Sequence, residues 1–301
     1  MKFLSPSSDA ARHLSEGRYV IRSLDAAGLA AVTIPWMREA GWNPGRHDAQ
    51  TFPVADPAGF LVGELDGHPI ATVSGVRYDN RFAFLGCYLV AEGFRGRGYG
   101  LAIHEAARTR LAGCTQGGDG VLANVELYQR IGRVYAHRNA RYEGTRPATV
   151  PVPAMSVVPA ATVPWEELEA LDRACFPAAR TAFLRAWVGQ PDSHALAVPG
   201  GAGSGAVRAY GVIRQCFRGW KIGPLFARDP EAAEAVFLGL LGRIPAGDPY
   251  VLDAPETNVA ALALVGQHGL TEVFATARMY TGPFPCLTHE WIYGITTFEL
   301  G

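Results

Sequence analysis

The chain has 301 residues, of which 49% are hydrophobic and 18% are charged, so it holds enough apolar material for one large or two medium globular domains. Lysine and arginine number 27 against 28 aspartates and glutamates, and the net charge of -1 leaves no basic surplus for a nucleic-acid backbone or an anionic membrane. These values exclude a disordered chain and argue against nucleic-acid and membrane partners.

Cysteine usage and the N-terminal residues indicate the compartment. The five cysteines are widely spaced and form no C-x-x-C pair, which argues against a disulfide framework or a zinc site. The start from Met1 to Leu4 turns polar at once and lacks the apolar core of a signal peptide. No stretch reaches the 18 or so apolar residues of a membrane span. We expect a soluble cytoplasmic protein, and its preference for arginine over lysine suggests a GC-rich bacterial genome.

The first elements with a clear pattern predict an antiparallel meander. Apolar runs at Phe60–Leu65 and Pro69–Tyr78 flank Asp66-Gly67, a pair that favours a type I′ hairpin turn. A second turn at Asp79-Asn80 leads into the run Phe82–Val90. Three consecutive antiparallel strands follow from this spacing.

A glycine-rich turn and a helix come next. Leu101, His104, Arg108 and Leu111 recur at helical spacing, and Gly113 is a plausible end of that helix. Two further strands around a short helical piece are predicted at Val121–Asn124 and Val134–Tyr142.

A cluster of prolines marks a boundary between two halves. Pro151, Pro153 and Pro159 lie between Pro147 and Pro164, a density that neither a helix nor a central strand tolerates. We therefore predict a first domain at 1–146, a proline-rich linker at 147–164 and a second domain at 165–301.

The second half repeats the order of elements in the first. Gly132 precedes Ala140-Arg141 by the same interval as Gly269 precedes Ala277-Arg278, and this match together with the shared order indicates an internal duplication. The predicted elements are strands at His194–Val198 and Ala206–Phe217 around a turn at Gly200–Gly205, a strand at Trp220–Phe226, a helix at Pro230–Leu241, a strand at Tyr250–Asp253, a helix near Asn258–His268 and a strand at Glu272–Tyr280.

The turn from Phe94 to Gly100 carries the chemistry. Its glycines let backbone N–H groups approach a ligand, and the following helix N-terminus adds partial positive charge that Arg95 and Arg97 can supplement. A diphosphate fits this turn, although such a turn can also merely redirect the chain. No glycine is followed by Lys-Ser or Lys-Thr, which excludes a Walker A loop, and a preceding antiparallel meander excludes a Rossmann turn.

The pattern Arg95-x-x-Gly98-x-Gly100 after strand Leu85–Val90 resembles the R/Q-x-x-G-x-G/A pyrophosphate loop of the GNAT superfamily of N-acetyltransferases. The resemblance implies an α/β (α+β) fold with two tandem GNAT-like domains, each a mixed, mostly antiparallel sheet flanked by helices. Further segments resemble the tandem YitH-type branch over roughly residues 18–301; they are Trp42-Asn43-Pro44-Gly45, the hairpin at Asp66-Gly67, Tyr78, Ile222-Gly223-Pro224-Leu225-Phe226 and Ala277-Arg278-Met279-Tyr280.

The resemblance also implies acetyl-CoA as co-substrate and a set of site residues. Leu89 and Val90 would present backbone groups to the pantetheine and thioester. Tyr128 matches a tyrosine that protonates the departing thiolate, although it could instead be a half-buried aromatic that anchors a short helix. The residues implied in diphosphate binding through backbone N–H groups are Arg95, Gly96, Arg97, Gly98, Tyr99 and Gly100.

The second half lacks these features and is expected to shape the acceptor site. Its counterpart of the glycine turn, Ala227–Glu231, has no glycine, one proline and two carboxylates that would repel a diphosphate, and Val265 stands at the tyrosine position. We expect one active site per chain, with the acceptor between the halves. The predicted acceptor residues are Trp42, Asn43, Asp48, Asp253 and Asn258, and the candidate general bases are Glu39, Asp48, Glu126 and Asp253.

The function expected from the resemblance is an acetyl-CoA-dependent N-acetyltransferase that acts by direct attack of a small or amino-acid-like amine. No metal is expected, because the histidines show no ligand spacing. The protein could be a monomer or a homodimer. Two alternatives stay open: a non-catalytic acyl-CoA-binding sensor, and an N-acyltransferase that uses a longer acyl-CoA.

Overall fold

The structure, a computed structural model, describes residues 17–201 and 206–301. The N-terminal residues Met1 to Leu4 lie outside the described residues, as does most of the predicted turn Gly200–Gly205. The first half contains strands β1 (Tyr19–Ser23), β2 (Phe60–Leu65), β3 (His68–Arg77), β4 (Phe82–Val90), β5 (Thr115–Val121) and β6 (Val134–Thr145). Its helices are α1 (the consecutive segments Ala26–Gly28, Leu29–Thr33 and Ile34–Glu39), α2 (Asp48–Ala55), α3 (Tyr99–Arg110) and α4 (Val125–Arg130).

The second half has a similar set of elements. Its strands are β7 (Val158–Pro159), β8 (Ser193–Val198), β9 (Ala209–Gln215), β10 (Trp220–Ala227), β11 (Pro249–Pro255), β12 (Thr271–Tyr280) and β13 (Ile292–Gly294). Its helices are α5 (Trp165–Cys175), α6 (Thr181–Val188), α7 (Pro230–Leu241) and α8 (Val259–Gln267). The segment 147–164, predicted as a linker, contains β7 and a short helical turn at Ala160–Thr162.

One continuous sheet contains the strands of both halves in the order β1-β2-β3-β4-β5-β12-β6-β11-β10-β9-β8-β7, with β13 paired to β10. Neighbouring strands pair in parallel at β4–β5 and β10–β11, and the other pairings are antiparallel. The expected mixed, mostly antiparallel sheet is therefore confirmed, but the two halves share it.

One long strand of each half, β6 and β12, pairs with strands of the other half. β12 pairs with β5, where Ala277 is opposite Gly120, and β6 pairs with β11, where Ala140 is opposite Ala254. Since β6 and β12 also pair with each other, the exchange places both strands at the centre of the sheet. Neither half has a complete sheet without a strand from the other.

Helices cover the sheet through their apolar faces. Ile103 and Ala107 of α3 are buried with Leu61 and Leu85 in one hydrophobic cluster. In the second half, Val236 and Phe237 of α7 belong to the largest of the clusters, beside strands β8 to β11. Burial of such side chains contributes roughly 1.5–3 kcal/mol each, which fixes each helix against the strands beneath it.

One prediction about local structure was wrong. The strand predicted at Val121–Asn124 is a short helical turn from Leu122 to Asn124, and the true strand β5 begins at Thr115. β5 contains Gly117, Gly118 and Gly120, residues that disfavour strands. It forms a strand because β4 and β12 supply hydrogen-bonding partners along its two edges.

Candidate active site

The glycine turn after β4 has the conformation that its sequence requires. Gly96 and Gly98 have φ angles of +74° and +89°, a region that L-residues with side chains rarely adopt. A Cβ added at Gly100 would overlap the Tyr88 hydroxyl. The turn therefore needs glycine at two positions for backbone conformation and at a third for space.

Exposed backbone and side-chain groups surround this turn. Gly98 is the N-cap of α3, and no side chain caps the helix there. Arg95 and Arg97 are exposed, and the Arg95 Nε donates a 3.0 Å hydrogen bond to the carbonyl of Val90, which ties the turn to the end of β4. Since the first N–H groups of a helix lack intrahelical partners and carry partial positive charge, the turn can bind an anion.

The sheet splits beside the turn. Parallel pairing between β4 and β5 runs from Phe82 opposite Thr115 to Leu85 opposite Gly118 and ends there. β4 then carries a bulge at Cys87, whose φ is +47°, where its register with β3 shifts. Leu89 and Val90 follow the bulge, on the part of β4 that no longer pairs with β5.

A cavity of about 740 Å³ opens at this split. Its volume is in the range of small-molecule sites. Residues from both halves line it, because β12 lies next to β5. From the first half these include Trp42, Asn43, Val73, Cys87, Tyr88, Leu101, His104, Asp119, Tyr128, Ile131, Arg133, Arg141 and Glu143, and from the second half Arg218, Val251, Val273, Phe274, Thr276, Met279, Phe298 and Glu299.

Tyr128 reaches the cavity from α4. Its ring packs over β5 so closely that a Cβ added at Gly120 would overlap it. The backbone N–H of Arg133 donates to the Tyr128 carbonyl at 3.0 Å, which fixes the end of this short helix. The structure therefore places Tyr128 in the wall of the cavity that begins at the β4–β5 split.

Burial lowers the pKa values of two basic groups in the cavity wall next to Tyr128. Burial, with the charge of Arg133 as a second cause, lowers the pKa of His104 to about 4, so this imidazole is neutral near pH 7. Burial also lowers the pKa of Arg133 to about 10, but the guanidinium keeps its proton near pH 7. His104 contacts the Tyr88 ring edge-on, with centroids 5.8 Å apart.

Two of the predicted acceptor residues line the cavity. Trp42 and Asn43 follow α1, and the Asn43 amide bridges to the backbone of Arg218, accepting from its N–H at 2.9 Å and donating to its carbonyl at 2.8 Å. Arg141 donates to the carbonyl of Trp42 at 3.1 Å. Contacts with the other half thus hold this loop against the cavity.

The structure does not bring Asp48, Asp253 or Asn258 to the cavity wall. Asp48 is buried against Arg214, with Oδ1 3.0 Å from Nε, and Asp253 forms two 2.7 Å hydrogen bonds with Arg141. Since the arginine in each pair belongs to the other half, these two aspartates join the halves by buried ion pairs.

Asn258 is the N-cap of α8. Its side-chain oxygen accepts from the N–H groups of Ala260 and Ala261, and its amide donates to the carbonyls of Glu290 and Ile292. It therefore holds the segment before β13 and does not face an acceptor.

The remaining candidate bases also lie elsewhere. Glu39 ends α1 at the surface, and Glu126 is exposed with Arg130 3.6 Å away. Sequence reasoning instead missed Glu299, Phe298 and Phe274, which line the cavity. No motif marks them, because they reach the site only through strand exchange and the return of the C-terminal segment.

In the second half, the short strand β13 fills the corresponding split between two parallel strands. β10 and β11 pair in parallel from Trp220 opposite Tyr250 to Ile222 opposite Leu252, and then β13 pairs with β10. The N–H of Ile295, just after β13, donates to the Asp253 carbonyl of β11 at 2.9 Å. The short strand β13 thus bridges β10 and β11 at the position where the first half has its cavity.

Within residues 17–201 and 206–301, no cluster of three or more His, Cys, Asp or Glu side chains could hold a metal ion. In the same part of the chain, none of the helices combines the length and apolar character needed to cross a membrane.

Comparison with known proteins gives the same architecture. A model of the acetyltransferase (GNAT) family matches residues 28–132, and a model of an acetyltransferase (GNAT) domain matches residues 168–294. Holothin acyltransferase of Pseudoalteromonas sp. (strain SANK 73390) is 29% identical over 267 residues, which are 88% of this chain and 89% of that protein.

Two solved structures share the fold. A candidate acetyltransferase of Pyrococcus horikoshii superposes with a TM-score of 0.77 at 22% identity, covering 94% of this chain and 96% of that one. A tandem GNAT protein from the clavulanic acid biosynthesis pathway has a TM-score of 0.62 at 16% identity, covering 89% of this chain and all 100% of that one.

The chain belongs to the GNAT superfamily of acyltransferases and contains two GNAT domains in tandem. The predicted family and fold class are confirmed, and the assignment to the YitH-type branch stays a prediction. GNAT proteins use an acyl-CoA as co-substrate, and the open split of the first half lies beside the turn that resembles their pyrophosphate loop.

Proposed function

We propose that the protein is an acetyl-CoA-dependent N-acetyltransferase that acylates a small amine in the cavity between its halves. The observation that carries this proposal is the open β4–β5 split, which continues into a cavity of about 740 Å³ lined by both halves. A donor entering at the glycine turn and an acceptor entering from the other half would meet at the bulge in β4.

The proposed donor site uses backbone groups. Gly98 and its neighbours from Arg95 to Gly100 would hold the diphosphate, since the N-terminus of α3 has no side-chain cap. Leu89 and Val90 would offer backbone hydrogen bonds to the pantetheine and thioester, because this part of β4 has lost its partner β5. Binding should therefore depend on backbone conformation more than on any single side chain.

The proposed chemistry is direct transfer. The acceptor nitrogen attacks the thioester carbonyl carbon, the carbon–sulfur bond breaks, and the electron pair leaves with sulfur. The Tyr128 hydroxyl would give its proton to that sulfur. General acid catalysis of this kind raises the rate by about 10²–10⁴-fold. The product is an amide and free coenzyme A.

The far end of the cavity suits an acceptor with an apolar body. Phe274 and Phe298 contact each other with ring centroids 5.9 Å apart, and Val251, Val273 and Trp42 line the same space. A relative that is 29% identical is named holothin acyltransferase, which makes holothin one candidate acceptor. Holothin itself belongs in any panel of acceptors to be tested.

We also propose that each chain binds one donor. β13 occupies the split of the second half, and the N-terminus of α7 is capped by Asp229, which accepts from the N–H of Ala232 at 2.9 Å. The second half would then contribute only the acceptor side of the cavity.

A thiol-release assay tests the activity. Acetyl-CoA and longer acyl-CoAs are offered with holothin, aromatic amines, aliphatic amines and amino acids, and the expected result is release of coenzyme A with an apolar amine and acetyl-CoA. Preference for a longer donor would correct the acyl group. Donor binding without turnover of any amine would contradict the proposal and favour the sensor function. Calorimetric titration should give one donor per chain.

A further inference from the structure

Six charged side chains are buried together behind the acceptor end of the cavity. Two pairs are directly bonded, Arg214 with Asp48 and Arg141 with Asp253. The remaining two, Lys221 of β10 and Glu299 of the C-terminal segment, have no ion-pair partner within 4.0 Å among the described residues. Three cations and three anions thus balance, but one of each sign has no direct contact.

Lys221 is sealed within the protein. Its Nζ atom is fully buried and bonds to no partner among the described residues. Burial, with the charge of Arg141 as a second cause, lowers the pKa of Lys221. When it is protonated, its charge and that of Arg141 oppose the effect of burial on Glu299. Lys221 can therefore stabilise an ionised Glu299 without forming a contact that would block its carboxylate.

Glu299 differs because it lines the cavity. Its Oε2 accepts a hydrogen bond from the Thr297 hydroxyl. No donor among the described residues bonds its Oε1. This atom is not fully buried, and since Glu299 lines the cavity, Oε1 is accessible from there. The carboxylate thus has one oxygen held and the other available.

The backbone fixes Glu299 beside the reaction centre. A Cβ added at Gly86 would overlap the Glu299 carbonyl, so the C-terminal segment packs directly on β4 just before the bulge at Cys87. The proposed thioester position lies on the same strand. The backbone of Glu299 is therefore fixed against the strand on which the acceptor nitrogen would attack.

The other carboxylates in the cavity wall are bonded to arginines. Asp119 is bonded by Asn139 and, through both oxygens, by Arg278. Glu143 accepts a 2.7 Å hydrogen bond from Arg218, whose side chain is exposed. Glu299 is thus the buried lining carboxylate that no arginine bonds among the described residues.

We propose that Glu299 is the catalytic base that takes the proton from the acceptor's ammonium group. This inference rests on the proposed function. The ammonium N–H bond breaks, its proton moves to Glu299 Oε1, and the freed lone pair attacks the thioester carbonyl carbon. As the carbon–sulfur bond breaks, Tyr128 gives its proton to sulfur, and the second proton that the nitrogen loses returns to the Tyr128 oxygen through solvent. Glu299 then releases its own proton to solvent.

The surroundings of Glu299 fit this task. Burial raises the pKa of the Glu299 carboxyl, and the positive charges of Lys221 and Arg141 oppose that rise. A raised pKa brings a carboxylate nearer to the range in which it accepts a proton efficiently at neutral pH. The charged and titratable groups that face it are Asp48 from α2, Cys87 from β4, Arg141 from β6, Arg214 from β9 and Lys221 from β10.

The decisive experiment compares Glu299→Gln with the parent protein, using 2-phenylethylamine and aniline as acceptors and acetyl-CoA as donor. The amide keeps the size of the side chain and can still accept from Thr297. We expect kcat/KM for 2-phenylethylamine to fall by about 100-fold or more at pH 7. The loss should be smaller for aniline, which is already neutral at that pH. Glu290→Gln, the same change on an exposed residue of the same segment, is the matched control and should equal the parent.

The pH profile separates a proton acceptor from a structural role. In the parent, kcat/KM for 2-phenylethylamine should rise as Glu299 loses its proton and then level off. The glutamine variant can use only free amine, so its kcat/KM should continue to rise by about tenfold per pH unit toward the pKa of the amine. A deficit that is the same at every pH would overturn the inference.

A measurement without acceptor makes the two failures distinguishable. N,N′-Dicyclohexylcarbodiimide reacts with protonated, buried carboxyl groups. After labelling at a pH low enough to protonate Glu299, mass spectrometry should find its adduct on this residue of the parent. A folded parent without this adduct would overturn the inference whatever the amine assay gives. If amines are acylated equally by parent and Glu299→Gln, only the inference fails. If Glu299 is labelled and no amine is acylated, the proposed function fails and the proton-transfer role fails with it.

Discussion

The two GNAT domains split their sheets at equivalent places, yet only one split is open. In the first domain, β4 and β5 part after Leu85 and Gly118, and the cavity begins there. In the second, β10 and β11 part after Ile222 and Leu252, and β13 enters between them. The same arrangement of strands therefore leaves an open cavity in one domain and forms a packed core in the other.

The difference also shows at the helix that follows each split. α3 begins at uncapped Gly98 with exposed arginines nearby, whereas α7 begins at Asp229, which caps the helix and pairs with Arg208 at 2.9 Å. The second domain has thus closed its site in two ways, by filling the split with β13 and by placing a carboxylate where an anion would bind. Specific substitutions can test which of the two matters.

The largest effect is expected from closing the first site. Gly98→Asp should weaken acetyl-CoA binding by at least about 100-fold, because the new carboxylate would repel the diphosphate and a side chain strains a residue at φ +89°. Isothermal titration calorimetry measures this. Gly247→Asp places the same change at another open glycine of positive φ, +84°, away from the cavity, and should bind like the parent. If Gly98→Asp binds acetyl-CoA as tightly as the parent, the turn from Arg95 to Gly100 does not bind the donor.

Disturbing the strand that fills the second split should cost stability. A Cβ at Gly294 would overlap the Leu252 side chain, so Gly294→Val should lower the free energy of unfolding by about 1–3 kcal/mol. Urea unfolding measures this loss, and Gly266→Val, at an exposed glycine with open space around it, is the control. If Gly294→Val unfolds like the parent, β13 is not a packed part of the second domain.

The tyrosine of the open split should affect turnover more than binding. We expect Tyr128→Phe to lower kcat by at least about tenfold while acetyl-CoA affinity stays nearly intact, because its hydroxyl would act as the thiolate leaves. Steady-state kinetics and calorimetry together measure both quantities. Tyr135→Phe, a tyrosine on β6 that bonds the exposed Glu256 outside the cavity wall, is the matched control. Unchanged kcat for Tyr128→Phe would make this ring a structural anchor of α4.

The smallest effect is expected from a substitution that tests whether the Asp229 carboxylate or the strand β13 prevents donor binding in the second domain. Asp229→Ala removes the cap of α7 and should cost about 1 kcal/mol of stability. It should not create a second donor site, because β13 still fills the split. Titration would then continue to give one acetyl-CoA per chain, and Glu231→Ala, at an exposed position in the same turn, serves as control. Two bound donors would show that the carboxylate alone had closed the site.

The sequence determined the parts of the protein that depend on short-range spacing. The meander of β2, β3 and β4, the helix α3 and the glycine turn were predictable because alternation, helical period and positive φ are local requirements. The repeated order of elements, with Asp229 in the second turn, likewise predicted which domain would bind the donor, and that assignment stays a prediction.

Only the tertiary structure determined which residues form the acceptor side of the cavity. β5 is a strand despite its glycines because β12, more than 100 residues later, pairs with it, and no local pattern indicates such an exchange. Asp48 and Asp253 could be substrate ligands or ion-pair partners by sequence, and burial against Arg214 and Arg141 decided for the second. Glu299 carries no motif. Only the packing of the C-terminal segment on Gly86 brings this residue to the cavity wall, since contacts between distant segments depend on the whole fold.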